Sequence, residues 1–196
     1  MGLPKATLPF GPELMLQRVL RLLGEAVAPL VVVAATDQTL TPLPDNVTIA
    51  RDEHDDRGPL EGLHAGLSAI ESLADAAFVT SCDVPLLVPA FVRRMTELLA
   101  SHQIAVPFDE KYHHALAAVY RTSVLPTIKS LLAADRMRPV FLFDEVDTIR
   151  VPVEDLGTVD PQLHSLQNLN RPADYFEALE VAGFQAPHDV VRELSS

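Results

Sequence analysis

Asp83 is the residue of this sequence best placed to do chemistry. It closes the run Phe78-Val79-Thr80-Ser81-Cys82-Asp83-Val84-Pro85, in which an apolar strand delivers a carboxylate at its carboxyl end and Pro85 then stops the ladder. A carboxylate at the mouth of a sheet can hold Mg²⁺, which takes one or two protein carboxylates together with waters and substrate phosphates. The same residue can equally be the N-cap or turn residue ahead of a helix starting near Pro89. Gly58-Pro59-Leu60-Glu61-Gly62-Leu63 offers a second candidate. Its first-turn N–H groups and positive dipole end could face a phosphate or a nucleobase, or the Gly-Pro pair could simply start the helix. Lys5, one of three lysines, lies in a Gly- and Pro-punctuated opening segment. There it is either a point charge for a triphosphate or part of a mobile terminus.

The remaining candidates are weaker. The run Asp52, Glu53, Asp55, Asp56 reads as a solvated acidic loop, and only Asp52, next to the short strand Val47 to Ala50, is placed to face a ligand. His113 and His114 precede a buried strand; neighbours on a strand point to opposite faces, so at most one faces a site and the pair cannot grip one metal. Cys82, inside an apolar strand, reads as an inert core thiol. Neither a Ser/His/Asp set nor a nucleophile elbow is present, so covalent catalysis finds no support.

These residues need elements to hold them. Leu60, Leu63, Leu67, Ile70 and Ala74 recur in steps of three and four and predict a helix with one apolar face. Similar stripes run through Met15, Val19, Leu22 and Ala26, through Phe91, Met95 and Leu98, through Leu125, Ile128 and Leu132, and through Tyr175, Phe176 and Leu179. Between them the runs Leu30 to Ala35, Ala77 to Cys82 and Ala115 to Tyr120 are rich in Val and Ala without strict alternation, which predicts strands buried on both faces. Helices alternating with such strands mean βαβ units, a largely parallel Rossmann-like sheet and a three-layer α/β/α sandwich. Ligands in that architecture sit beyond the carboxyl ends of the strands.

Composition narrows the function. The chain has 196 residues, 48% of them hydrophobic and 21% charged, enough for one buried core, and no repeat or linker divides it, so residues 1–196 read as a single domain. Fifteen Lys and Arg against 27 Asp and Glu give a net charge of -12 with no basic stripe, which argues against nucleic acid as a partner. A lone cysteine allows no internal disulfide and suits a reducing cytoplasm. No run approaches the roughly 18 apolar residues of a membrane span, and no signal peptide is evident, so a soluble cytoplasmic protein is expected.

Five short motifs occur in one order: Met-Gly-x-x-Lys at the start, Gly-Pro-Leu-x-Gly at Gly58, Cys-Asp-x-Pro at Cys82, Ala-x-Tyr-Arg near Tyr120 and Asn-Leu-Asn-x-Pro at Asn168. In this the chain resembles the MobA-like nucleotidyltransferases, and within them the molybdenum cofactor guanylyltransferases, from its first residue to about Tyr175. The resemblance implies a nucleotide-diphospho-sugar transferase-like fold and an Mg²⁺-dependent transfer of GMP from GTP to molybdopterin cofactor, with pyrophosphate released. It implies that Lys5 binds phosphate, that Asp83 holds the metal and contacts the nucleotide, that Asp52 is an acidic nucleotide contact, and that Asn168 and Asn170 lie near the acceptor. Molybdenum cofactor carrier or acceptor proteins would be partners. The family normally opens with a strand and Leu-x-Gly-Gly-x-Ser-x-Arg, whereas this sequence starts at the methionine after that arginine. The expectation is therefore a sheet lacking its central first strand, with a gap between that strand's neighbours. Ala34 also stands where the family often has an asparagine. A cytidylyltransferase or other nucleotidyltransferase of the superfamily, and a non-catalytic accessory protein of the same fold, are the alternatives.

Overall fold

The computed structural model describes residues 4–52 and 58–194. Met1 and Gly2 of the first motif, and Glu53, Asp55 and Asp56 of the acidic run, lie outside the described residues.

The chain opens with a single 3₁₀ turn at Lys5–Thr7 and a two-residue hairpin of β1 (Pro9–Phe10) and β2 (Glu13–Leu14), followed by α1 (Met15–Gly24). Next come β3 (Leu30–Ala35), β4 (Val47–Asp52), α2 (Pro59–Ile70), β5 (Ala76–Thr80) and α3 (Pro89–Leu99). The second half contains β6 (Ile104–Phe108), β7 (Ala117–Arg121), α4 (Leu125–Ala133), α5 (Val140–Glu145), β8 (Thr148–Pro152), α6 (Pro172–Val181) and α7 (His188–Leu194). All five helical stripes form helices, although Ala26 and Ala74 lie beyond the ends of α1 and α2, and the stripe of α2 points inward as its spacing requires: Leu60, Leu63, Leu67 and Ile70 are buried. They pack on Ile104, Tyr120, Ile128 and Phe143 in the largest apolar cluster.

The α/β layering expected from the sequence is present, with helices packed on both faces of the strands. Strand directions are mixed: β3 pairs parallel with β4, β6 pairs parallel with β8, and β7 runs antiparallel to both β5 and β6. β6 and β8 carried no clear sequence signal, because Pro107 interrupts one and Arg150 sits in the middle of the other. Pro107 is tolerated because the described β6–β7 pairs are Ile104 with Tyr120 and Ala105 with Val119, which leaves no ladder on that side asking for its absent N–H.

The expectation that the strands are buried on both faces holds for one half of the sheet only. Four of the five residues in β6 and in β7 are buried. In β5 none is, and in β3 only Val32 and Ala34 are. The described strands form one ladder of β3 and β4 and a separate ladder in the order β5-β7-β6-β8. A cleft of about 820 Å³ runs between β3 and β5, walled by α1 through Leu16 and Leu20 and by α2 through Gly62, Leu63 and Gly66.

Candidate functional site

The N-terminal segment is anchored before it reaches the site. Leu8, Phe10 and Met15 are buried against Leu169, Tyr175 and Leu179, and the Tyr175 hydroxyl donates to the Pro9 carbonyl. Gly11, at φ +66°, turns the hairpin where an added Cβ would meet the Phe184 ring at 2.7 Å, so both conformation and space call for glycine. Arg18 ties the same corner to the β5 loop: its Nε donates to the Pro85 carbonyl at 2.7 Å while its guanidinium lies 5.0 Å from the Phe10 ring centre. Lys5 is therefore followed by a packed segment and is itself hydrogen bonded to Asp83 and Asn170, so the mobile-terminus reading does not apply to it.

Asp83 follows β5 by three residues. It is not a helix cap, because α3 begins six residues later with Val88 at its N-cap. The residue is 7% exposed, and its carboxylate receives three donors. Lys5 Nζ reaches Oδ2 at 2.7 Å, while Ser81 Oγ at 2.5 Å and Asn168 Nδ2 at 2.7 Å both donate to Oδ1. Lys5 Nζ also donates to Asn170 Oδ1 at 2.7 Å, and Asn168 Nδ2 to Ser81 Oγ at 2.9 Å. Burial works against ionisation of Asp83, but the hydrogen bonds from Lys5, Ser81 and Asn168 outweigh it, and the carboxyl is held below the usual carboxylate range. The neighbouring Cys82 thiol is pushed upward by burial and then by the Asp83 charge, as suits an inert thiol.

Asn168 and Asn170 reach the site from the far end of the chain. Leu169 between them is buried, and its N–H donates to the Asp83 carbonyl at 3.0 Å, so alternation turns both asparagines toward the carboxylate. The stretch is fixed on either side. Asp160, 1% exposed, accepts the backbone N–H groups of His164 and Ser165. Asp174 accepts those of Asn170 and Arg171 at the start of α6.

The structure thus brings together Lys5, Asp83, Asn168 and Asn170, and adds Ser81, which sequence reasoning missed. Its signal was available: two residues before Asp83 in an extended run places it on the same face. Asp52 stands apart from these hydrogen bonds. It ends β4 opposite Ala35, and with Gly58, Ser81 and Cys82 it lines the carboxyl-end mouth of the β3–β5 cleft. Neither histidine joins the cluster. His113 accepts from Arg150 Nε at 3.0 Å with its ring against Phe108 and Phe143, and His114 lies 3.5 Å from Asp109. Among the described residues no three His, Cys, Asp or Glu side chains converge on one point. Nor is any described helix long and apolar enough to cross a membrane.

Solved structures of nucleotidyltransferases share this fold. One is molybdopterin-guanine dinucleotide biosynthesis protein A from Archaeoglobus fulgidus, at TM-score 0.74 and 19% identity over 93% of this chain and 92% of that one. Another is 2-C-methyl-D-erythritol 4-phosphate cytidylyltransferase from Thermus thermophilus, at TM-score 0.62 and 15% identity over 92% and 94%. The α/β layers are thus those of the nucleotide-diphospho-sugar transferase fold. A sequence profile of the MobA-like NTP transferase domain matches residues 1–148, and the chain belongs to that family. It is also 36% identical, over 181 residues, to a probable molybdenum cofactor guanylyltransferase of Mycobacterium ulcerans (strain Agy99), a match covering 89% of this chain and 84% of that protein.

Proposed function

We propose that this nucleotidyltransferase moves GMP from GTP to molybdopterin cofactor in the cytoplasm, using Mg²⁺. The observation that carries the proposal is the Lys5–Asp83 pair, a fixed cation and a fixed anion 2.7 Å apart at the end of a strand, with two asparagine side chains bonded to them. The choice of GTP and of the acceptor is supported by the names of the relatives and not by the geometry. In the reaction a phosphate oxygen of the acceptor attacks the α-phosphorus of GTP. The new P–O bond forms there, the bond from the α-phosphorus to the oxygen bridging the β-phosphorus breaks, and pyrophosphate leaves with those electrons. Both nucleophile and leaving group come from the substrates, so no protein nucleophile is needed.

The donor set fits a hard divalent ion. A carboxylate kept ionised, flanked by hydroxyl and amide groups in a site where the one thiol stays protonated, suits an ion that takes few protein carboxylates and completes its shell with phosphates and water. Asp83 would hold it, and when bound Mg²⁺ would supply positive charge to the phosphate oxygens. Lys5 would offer its ammonium to the phosphates, with Asn170 setting its direction. Ser81 and Asn168 fix the Asp83 carboxyl in one orientation. Asp52 and the first turn of α2 stand at the cleft mouth, where a nucleoside could be contacted.

Product analysis tests the proposal. Incubation with molybdopterin cofactor, Mg²⁺ and GTP, CTP or ATP in parallel should release pyrophosphate and form a dinucleotide with GTP only. Equal turnover of CTP would overturn the base assignment, and GTP-dependent pyrophosphate release that ignores molybdopterin would overturn the acceptor.

A further inference from the structure

The loop between β3 and β4 lies outside the hydrogen bonds of the Lys5–Asp83 cluster, and yet it is fixed at several points. Thr36 Oγ1 donates to the Asp52 carbonyl at 2.7 Å, Gln38 Oε1 accepts from the Ala35 N–H at 3.3 Å, and Gln17 Nε2 donates to the Pro42 carbonyl at 3.2 Å. Leu40 and Leu43 pack on Leu16, Leu20 and Val32. With Val47, Ile49 and Arg51 of β4 the loop forms an open pocket of about 660 Å³. Arg51 stands at the strand end of that pocket with half of its guanidinium committed. Nη1 donates to the Ala35 and Gln38 carbonyls, both at 2.8 Å, which uses both of its hydrogens and fixes the plane of the group. Among the described residues Nε and Nη2 of Arg51 have no acceptor. Those two nitrogens form the edge of a guanidinium that takes two neighbouring acceptors at once. In register beside Arg51 on β3 is Ala34, whose side chain carries no acceptor.

Charge and position narrow what that edge takes. Asp37 and Asp45 line the same pocket and Asp52 follows Arg51 in the chain, so an anion there would meet three carboxylates around one guanidinium. A neutral ring with two adjacent acceptors avoids that repulsion. The pocket and the Lys5–Asp83 cluster also flank one apolar group. Ala6, next to Lys5, and Cys82, next to Asp83, pack on Leu16, Leu20 and Val32, as Leu40 and Leu43 of the loop do. This puts the loop on the path of a nucleotide whose phosphates lie at the cluster. Guanine carries adjacent acceptors, O6 beside N7, whereas adenine presents N7 beside an amino group that would meet Arg51 donor against donor. We infer that the Nε and Nη2 edge of Arg51 reads O6 and N7 of the guanine base and so separates GTP from ATP. The inference rests on the reading of the chain as a GTP-dependent transferase and adds the contact that selects a 6-keto purine.

Calorimetric titration with four nucleotides in Mg²⁺ tests this: GTP, ITP, which keeps O6 and N7, 7-deaza-GTP, which lacks N7, and ATP. The wild type should bind 7-deaza-GTP at least about fivefold, and ATP at least about fiftyfold, more weakly than GTP. In Arg51→Met, GTP and ITP should each weaken by at least about tenfold, ATP should change by less than about twofold, and the difference between GTP and 7-deaza-GTP should vanish. Arg51→Lys keeps the charge without the paired donors and should behave as Arg51→Met does. Equal weakening of all four nucleotides in both variants would show that Arg51 only holds the loop, and would overturn the assignment. Should the variants fail to fold, the wild type alone decides: equal affinity for GTP and 7-deaza-GTP overturns the assignment and leaves the transferase reading standing. Absence of GTP binding by the wild type overturns both.

Discussion

The two halves of the strand layer are built from similar residues and have opposite surroundings. β6 and β7 are buried along four of their five residues, while β5, which pairs with β7, has no fully buried residue, and β3 beyond it is half open. Both halves have helices on their faces. What differs is the lateral neighbour: β7 lies between two strands, whereas β5 and β3 each have one among the described residues. Enclosure of a central strand therefore depends on its partners in the sheet as much as on the helices above and below it. The Lys5–Asp83 cluster stands beside the cleft mouth, anchored by a separate apolar cluster of Leu8, Phe10, Met15, Leu169 and Tyr175.

The largest effect is expected at that cluster. Asp83→Asn should lower nucleotidyl transfer by at least about 10³-fold, roughly 4 kcal/mol of barrier, with the fold retained. Retention of activity within about tenfold would remove Asp83 from the reaction. Next come the two halves themselves. Ile104→Ala, at a fully buried position of β6, should cost about 2 to 5 kcal/mol in denaturant unfolding, and so should Leu67→Ala in α2. Val33→Ala, in the open wall, should cost less than about 1 kcal/mol because much of its side chain already meets water. Equal costs would show that the cleft is closed in solution.

What was legible in the sequence lies in both halves, while β6 and β8 of the closed half carried no clear signal. The spacing of Leu60, Leu63, Leu67 and Ile70 gives a helix face directly, and β3 runs over the residues that its composition predicts. Asp83 was legible as an acid after a strand. Its partners were not, because the Lys5–Asp83 and Asn168–Asp83 contacts join residues 78 and 85 positions apart, and no local pattern encodes such a pairing. The motif order pointed to Lys5, Asn168 and Asn170 by resemblance, while the packing of Leu8, Phe10 and Leu169 explains why they arrive there.

A smaller effect separates positioning from ligation. Ser81→Ala removes one donor from Asp83 Oδ1 and leaves Lys5 and Asn168 in place, so transfer should fall by about tenfold. Ser81→Thr should restore part of the loss, which a merely structural role beside β5 would not predict. The smallest effect is on acid stability. The folded pKa of Asp83 lies below its unfolded value of about 3.9, so its ionised form stabilises the fold fully above that value, and the contribution is lost as pH falls through the folded pKa. The stability gap between the wild type and Asp83→Asn, measured by chemical denaturation, should be constant from pH 7 to about pH 5 and shrink below about pH 4. A gap that widens in acid would mean that the carboxyl is protonated in the folded chain.

Calorimetric titration with GTP, in the presence and absence of Mg²⁺, tests the Lys5–Asp83 cluster as the nucleotide site most directly. Wild-type protein should bind GTP in an Mg²⁺-dependent manner, Asp83→Asn should lose that dependence, and Lys5→Gln should bind at least about tenfold more weakly, roughly 1.4 kcal/mol. Identical titrations for all three proteins, or no binding by the wild type, would contradict it.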